Sequence, residues 1–149
     1  MWVAGWLALF AIALVTMEMV AYLSHRYLMH GPLWVLHRSH HVPHRHRFEL
    51  NDMFGLGFAA PSIALIALGT NGYWMLLPVG LGMTAYGALY VLFHDIIVHR
   101  RLRLRRTPQW PYLRRIIKAH LMHHRTHERD GAVSFAFLYA PGRNAQRSP

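Results

Sequence analysis

The sequence predicts an all-α integral membrane bundle of about three transmembrane helices, with histidine-bearing helical extensions on the cytoplasmic side. Three observations carry this. Of 149 residues, 54% are hydrophobic and only 15% charged. The 16 Lys and Arg fall in two blocks, Arg26–Arg47 and Arg100–Arg147, separated by long apolar runs. The 13 histidines cluster beside those basic blocks, and none lies between residues 47 and 93. The length supports a single domain, residues 1–149. The absence of Cys excludes disulfides, thiolate-ligated zinc, iron–sulfur clusters and haem-thiolate chemistry. A formal charge of +10 gathered at membrane edges points to lipid or a protein partner, and not to nucleic acid.

The apolar runs give the elements in order. Residues 2–23 are broken only by Gly5, Thr16 and Glu18, and a bilayer core of about 30 Å needs roughly 20 helical residues. No basic residue precedes this run, which argues against a cleavable signal peptide. The second span is short, about 52–69, and the third covers about 73–93. Thr70-Asn71-Gly72 is a turn sequence that makes these two a helical hairpin. The positive-inside rule then places both basic blocks, and the histidine blocks 25–47 and 94–127, in the cytoplasm. Pro61 and Pro78 predict kinks, and Gly80, Thr84 and Gly87 a close helix–helix contact. The apolar stretch Val133–Ala140 is too short to span, and either enters the interface or packs on the bundle.

Ten histidines form a pattern that occurs twice. His25 and His30 are followed by His37, His40 and His41; His94 and His99 are followed by His120, His123 and His124. Residues i, i+3 and i+4 share a helix face, so each three-histidine box is expected to converge on a common centre. The i, i+5 pairs are offset by about 140° on an α-helix. Gly31-Pro32 lets His30 swing inward from an unwound turn, whereas His94 and His99 either serve different metals or need the helix to unwind. Ten imidazoles suit two ions with about five nitrogens each, and imidazole accepts Zn, Cu, Fe or Ni. His44, His46 and His127 lie in loop-like stretches and read as solvated surface residues.

Three further residues sit close to the boxes. Glu18 lies two helical turns before His25, where an intramembrane carboxylate faces the bundle interior, either accepting a hydrogen bond from a site residue or lining a substrate channel. Asp95 adjoins His94 and is placed to orient an imidazole. Asn51 either caps the second span or reaches the metals, and capping is the simpler reading. Arg100, Arg101, Arg103, Arg105 and Arg106, with Arg114, Arg115 and Lys118, form a surface for an acidic electron donor or for anionic headgroups. No Gly-x-Gly-x-x-Gly stretch for NAD(P)H or flavin is present, so electrons come from outside the chain.

The boxes resemble those of the membrane-bound non-haem di-iron hydroxylases, the fatty-acid hydroxylase superfamily, and most closely those of its bacterial β-carotene hydroxylases. The segments carrying the likeness are Glu18 through His25-Arg-Tyr-Leu-Met-His30-Gly31, the His37 box, Phe48–Asp52, Gly82–Gly87, His94–His99, Ala119–His124 and Val133–Pro141. His44, His46 and Arg47 depart from the small and basic residues more usual there, and the tail after Pro141 is short. The resemblance implies one membrane hydroxylase domain whose ten box histidines bind two irons. It implies O2 as oxidant, β-carotene as substrate hydroxylated at carbon 3 to give zeaxanthin through β-cryptoxanthin, and a ferredoxin with its reductase as donor. A fatty-acid or sterol hydroxylase or desaturase carries the same boxes. A membrane metal transporter or sensor is more remote, because transporters place ligands at mid-membrane.

Overall fold

The computed structural model describes residues 2–42, 48–102, 105 and 108–140. Five α-helices carry the described chain: α1 (Trp2–Leu23), α2 (Trp34–His41), α3 (Asp52–Thr70), α4 (Leu76–Tyr90) and α5 (Pro111–His123). Both α1 and α4 continue into wider π-helical segments, Ser24–Met29 and Val91–Val98. No strand occurs among the described residues. With these continuations, three helices are long and apolar enough to cross a membrane: Trp2–Met29, Asp52–Thr70 and Leu76–Val98. They reach further than the apolar runs suggested, so His25 and His94 lie on their final turns rather than beyond them.

Helix α4 is the centre of the trunk, packed against α1 on one side and α3 on the other. Small residues set both approaches. A Cβ at Gly82 would stand 2.6 Å from the Phe10 carbonyl oxygen and 2.8 Å from Ala13 Cβ in α1. At Gly80 it would stand 2.8 Å from Ile66 in α3. The hydroxyls of Ser62 and Thr84 are 2.7 Å apart and both lie 2.9 Å from the Gly80 carbonyl oxygen, so each interior hydroxyl is satisfied across the α3–α4 seam. Gly87 faces open space and takes no part in that contact; Gly82 supplies the second close approach instead. Pro78 also departs from expectation. Tyr73–Met75 belong to the turn and α4 starts at Leu76, which puts Pro78 in the first helical turn, where its missing N–H breaks no bond. The hairpin turn closes through Gly72 at φ +111°, a conformation that glycine adopts without a Cβ penalty.

Large side chains such as Trp2, Leu7, Ile12, Val15, Leu56 and Ile63 remain exposed along α1 and α3, an apolar surface suited to lipid. The buried centre lies toward the histidine end. There Met17 and Ala21 of α1, Tyr86 of α4 and Phe137 form one cluster. The stretch Val133–Ala140 packs on the bundle through Phe137, Leu138 and Ala140.

Candidate metal centre

The ten box histidines gather into two groups of five. His25, His30, His37, His41 and His123 form the first; His40, His94, His99, His120 and His124 form the second. Within each group the ligating atoms all lie within 4.8 Å of one another. The two groups touch, with the rings of His41 and His124 stacked at 4.4 Å.

Local backbone explains how the i, i+5 pairs meet. The amide of His30 donates to the His25 carbonyl at 3.0 Å, and that of His99 to the His94 carbonyl at 2.9 Å. An i→i+5 ladder puts residues five apart nearly above one another, as an α-helix does for residues four apart. The helices widen where the sequence reading expected them to unwind. A Cβ at Gly31 would collide with the Tyr27 carbonyl oxygen, so the chain turns away after His30 only because glycine stands there.

The three-histidine boxes do not each converge on one centre. His40 leaves its box for the second group, and His123 leaves its box for the first. The reason is angular: residues i+3 and i+4 flank residue i on opposite sides, about 100° apart, so one box spans two adjacent centres. Each group thus takes four histidines from one half of the chain and one from the other.

Proton placement shows what the groups can hold. In the first, His25 Nδ1 donates to the Phe135 carbonyl at 2.8 Å, His30 to Arg129 at 2.8 Å, His41 to Thr126 at 2.9 Å and His123 to Val133 at 3.0 Å. His37 Nδ1 donates to Asn51 Oδ1 at 2.6 Å. A carbonyl oxygen only accepts, so each Nδ1 carries the proton and each neutral ring turns a bare Nε2 lone pair inward. There are three inward contacts: His25–His37 at 3.1 Å, His30–His123 at 3.1 Å and His37–His41 at 3.2 Å. With no proton between them, such pairs repel unless a cation lies at their focus. Nitrogens coordinating one ion at about 2.1 Å stand about 3.0 Å from their neighbours. The second group repeats the spacing: His40–His94 at 3.0 Å, His99–His120 at 3.0 Å and His120–His124 at 2.9 Å. The donor set and its geometry fit two imidazole-bound metal ions.

Burial keeps these rings neutral. It pulls His37 down to about 3, with His41 and other neighbouring histidines pulling the same way, and His41 and His99 to about 4. It takes His123 to about 2, and His40, His120 and His124 well below the ordinary imidazole range.

The residues around the groups differ from the sequence reading in three places. Asn51 makes no side-chain cap on α3; it is buried and accepts from His37. Among the described residues, Glu18 hydrogen-bonds to no histidine. One of its oxygens accepts the backbone amides of Phe137, Leu138 and Tyr139 at 2.9–3.1 Å, and the other the Tyr86 hydroxyl at 2.7 Å. It therefore anchors the strap Val133–Ala140, whose carbonyls hold His25 and His123. Arg101 is drawn inward from any docking surface. It lies 2.7 Å from Asp52, 3.0 Å from Glu49 and 3.8 Å from Asp95. Those carboxylates hold it firmly protonated although burial works against its charge.

Asp95 Oδ1 accepts from His94 Nδ1 at 2.7 Å, and Glu49 Oε2 from His40 Nδ1 at 2.8 Å. Sequence reasoning missed Glu49, which reads as an ordinary loop acid. It also missed Phe137, whose ring stacks on His25 at 5.0 Å and lies 5.3 Å from His94, between the trunk and both groups. Arg100 and Arg105 are exposed, Arg103 and Arg106 lie outside the described residues, and so do His44 and His46; His127 is exposed.

Comparison with known proteins agrees with this picture. The fatty acid hydroxylase family matches residues 10–140. The chain is 48% identical to a β-carotene hydroxylase of Pantoea ananas over 95% of its length and 80% of that protein's. It is 49% identical to a β-carotene hydroxylase of Pseudescherichia vulneris, over 87% of the chain and 73% of that protein. It is 40% identical to the chloroplastic β-carotene 3-hydroxylase 1 of Arabidopsis thaliana, over 80% of the chain and 40% of that protein. No solved structure matches. A membrane bundle whose histidines meet in two five-nitrogen groups thus belongs to the fatty acid hydroxylase family, an oxygenase family, and within it to the β-carotene hydroxylases.

Proposed function

We propose that this enzyme hydroxylates β-carotene at carbon 3 of its β-ionone rings, forming zeaxanthin through β-cryptoxanthin, with two irons held by the ten box histidines. The carrying observation is the pair of convergent imidazole groups in a chain about half identical to β-carotene hydroxylases. Position 3 is supported by the name of the Arabidopsis relative. Iron supplies the O2 activation that an unactivated C–H bond requires. In the net reaction one C–H bond becomes C–OH while O2 takes two electrons and two protons, leaving one water.

The protein's own groups prepare that chemistry. Thr126, Arg129, Val133 and Phe135 carbonyls and Asn51 fix the first group's tautomers, so every Nε2 faces inward as a lone pair. Phe137 and Tyr90 place aromatic faces against His25 and His94 on the trunk side, where an apolar ring arriving along the helices meets the histidine end. Burial of the histidine groups excludes water. Electrons come from an external donor of ferredoxin type with its reductase. The exposed Arg100, Arg105, Arg114 and Lys118 present positive charge to that acidic donor or to anionic headgroups. By the arginine distribution, the protein is multi-pass and the histidine end is cytoplasmic.

Expression in carotene-producing bacteria, with pigment chromatography, tests the assignment. Accumulation of zeaxanthin and β-cryptoxanthin supports it. Unchanged β-carotene with hydroxylated fatty acids in the same cells assigns the chain to the fatty-acid branch instead.

A further inference from the structure

The two histidine groups are backed by different chemistry. The five Nδ1 protons of the first go to four backbone carbonyls and one amide, all neutral. Among the described residues no carboxylate accepts from that group. In the second, His40 gives its proton to Glu49 and His94 to Asp95. Both carboxylates are shielded, with side chains 8% and 17% exposed. Each also turns its other oxygen toward one guanidinium, that of Arg101, which reaches Asp52 as well. Three carboxylates thus meet at one guanidinium beside the second group.

A carboxylate acceptor draws the Nδ1 proton and makes the opposite Nε2 a stronger donor to a cation. A backbone carbonyl fixes the tautomer but adds little of this. We infer that the two metal positions are inequivalent, and that the His40–His94–His99–His120–His124 position binds its ion more tightly because Glu49 and Asp95, clamped by Arg101, act on His40 and His94 as positioning residues. This rests on the reading of the ten histidines as metal ligands, but not on the substrate or the reaction.

The test uses full-length, detergent-purified protein stripped of metal and titrated with Zn2+ in competition with a chromophoric chelator. Wild type is expected to bind two ions with affinities separated by at least tenfold. E49Q and D95N keep an acceptor oxygen at the same place and remove only the charge. Each is expected to weaken the tighter ion by about 10- to 100-fold and leave the weaker one in place. Mössbauer spectra of the 57Fe-loaded protein give a second readout, with two unequal doublets of which E49Q perturbs one. Two ions of equal affinity, or equal weakening of both by E49Q, overturn the inference. So does a tighter ion lost on H30A but kept on H120A, since that puts the tight position in the first group. Binding of fewer than two ions by wild type contradicts the ligand reading itself, which separates the two failures.

Discussion

The two histidine groups share a ligand count and a spacing, yet different parts of the chain hold them, and only the first is buried throughout, His99 and His124 of the second being half-buried. The first leans on the segment after α5: carbonyls of Thr126, Arg129, Val133 and Phe135 take four of its five Nδ1 protons. The second leans on the segment before α3 and on the π-helical end of α4, through Glu49 and Asp95. The exchange of His40 and His123 ties the groups together. Such crossing means that neither half of the chain completes a centre by itself, so the duplicated boxes in the sequence do not correspond to duplicated sites.

His123 is fully buried and sits in the first group although its box belongs to the second half. His123→Ala is expected to abolish pigment conversion and to remove the ion that His30→Ala removes, not the one that His120→Ala removes. Iron per chain should fall from two toward one. Competitive metal titration of the three variants checks it; matching profiles for His123→Ala and His120→Ala would restore the simple one-box, one-centre arrangement.

Glu18 gives the next largest effect, because it acts through the strap. Its carboxylate collects three amides and one hydroxyl, and the strap it anchors supplies acceptors to His25 and His123. Glu18→Leu relieves the cost of an ionisable group in a span but frees the strap. Loss of activity and of first-group metal by about 10- to 100-fold is expected, with Glu18→Gln intermediate. Pigment conversion and bound iron are read at matched membrane expression. A fully active, fully metallated Leu variant would show that the strap holds without its anchor.

Asn51 is the one side-chain acceptor among the first group's described Nδ1 partners. Asn51→Ala leaves His37 without its acceptor and should cost about tenfold in metal affinity. Asn51→Asp puts a carboxylate where the second group has Glu49 and Asp95, and should bring the two affinities closer together. Zn2+ competition measures both; a spread in affinity unchanged by Asn51→Asp would detach it from acceptor charge.

How much of this was legible depends on which forces decide each feature. The three spans were readable because membrane crossing depends on run length and charge placement, both linear properties. The hairpin turn was readable because Asn71-Gly72 is local chemistry. The box residues were singled out by type and spacing, and the structure brings all ten together. Their distribution between the groups was not readable, since helical angles say that His40 and His41 diverge but not which neighbour each one meets. The π-helical segments hide for a similar reason: no residue type marks an i→i+5 ladder, and the clue was an i, i+5 pairing that an α-helix could not serve. Asn51 misled because a polar residue before a helix caps it in most settings, while here a buried imidazole competes for the same oxygen. Glu49 was invisible as a partner because its role depends on a contact with His40 nine residues away that no local pattern marks.

The smallest expected effect concerns the boundary of the site. His124 and His127 are three residues apart, and only the first enters a group. Helix α5 ends at His123, with His124 as its cap residue, and the chain then leaves the helical path. His124 Nε2 comes within 2.9 Å of His120 Nε2, while His127 is exposed. If geometry, and not histidine content, selects ligands, His127→Ala should retain two irons per chain and conversion within about twofold of wild type, because surface substitutions away from such features are nearly neutral. His124→Ala should lose second-group metal and conversion together. The pair is measured side by side at equal expression, with His124→Gln as a neutral polar control. Loss of an ion in His127→Ala would extend the site past the end of α5 and enlarge the ligand set beyond the ten box residues.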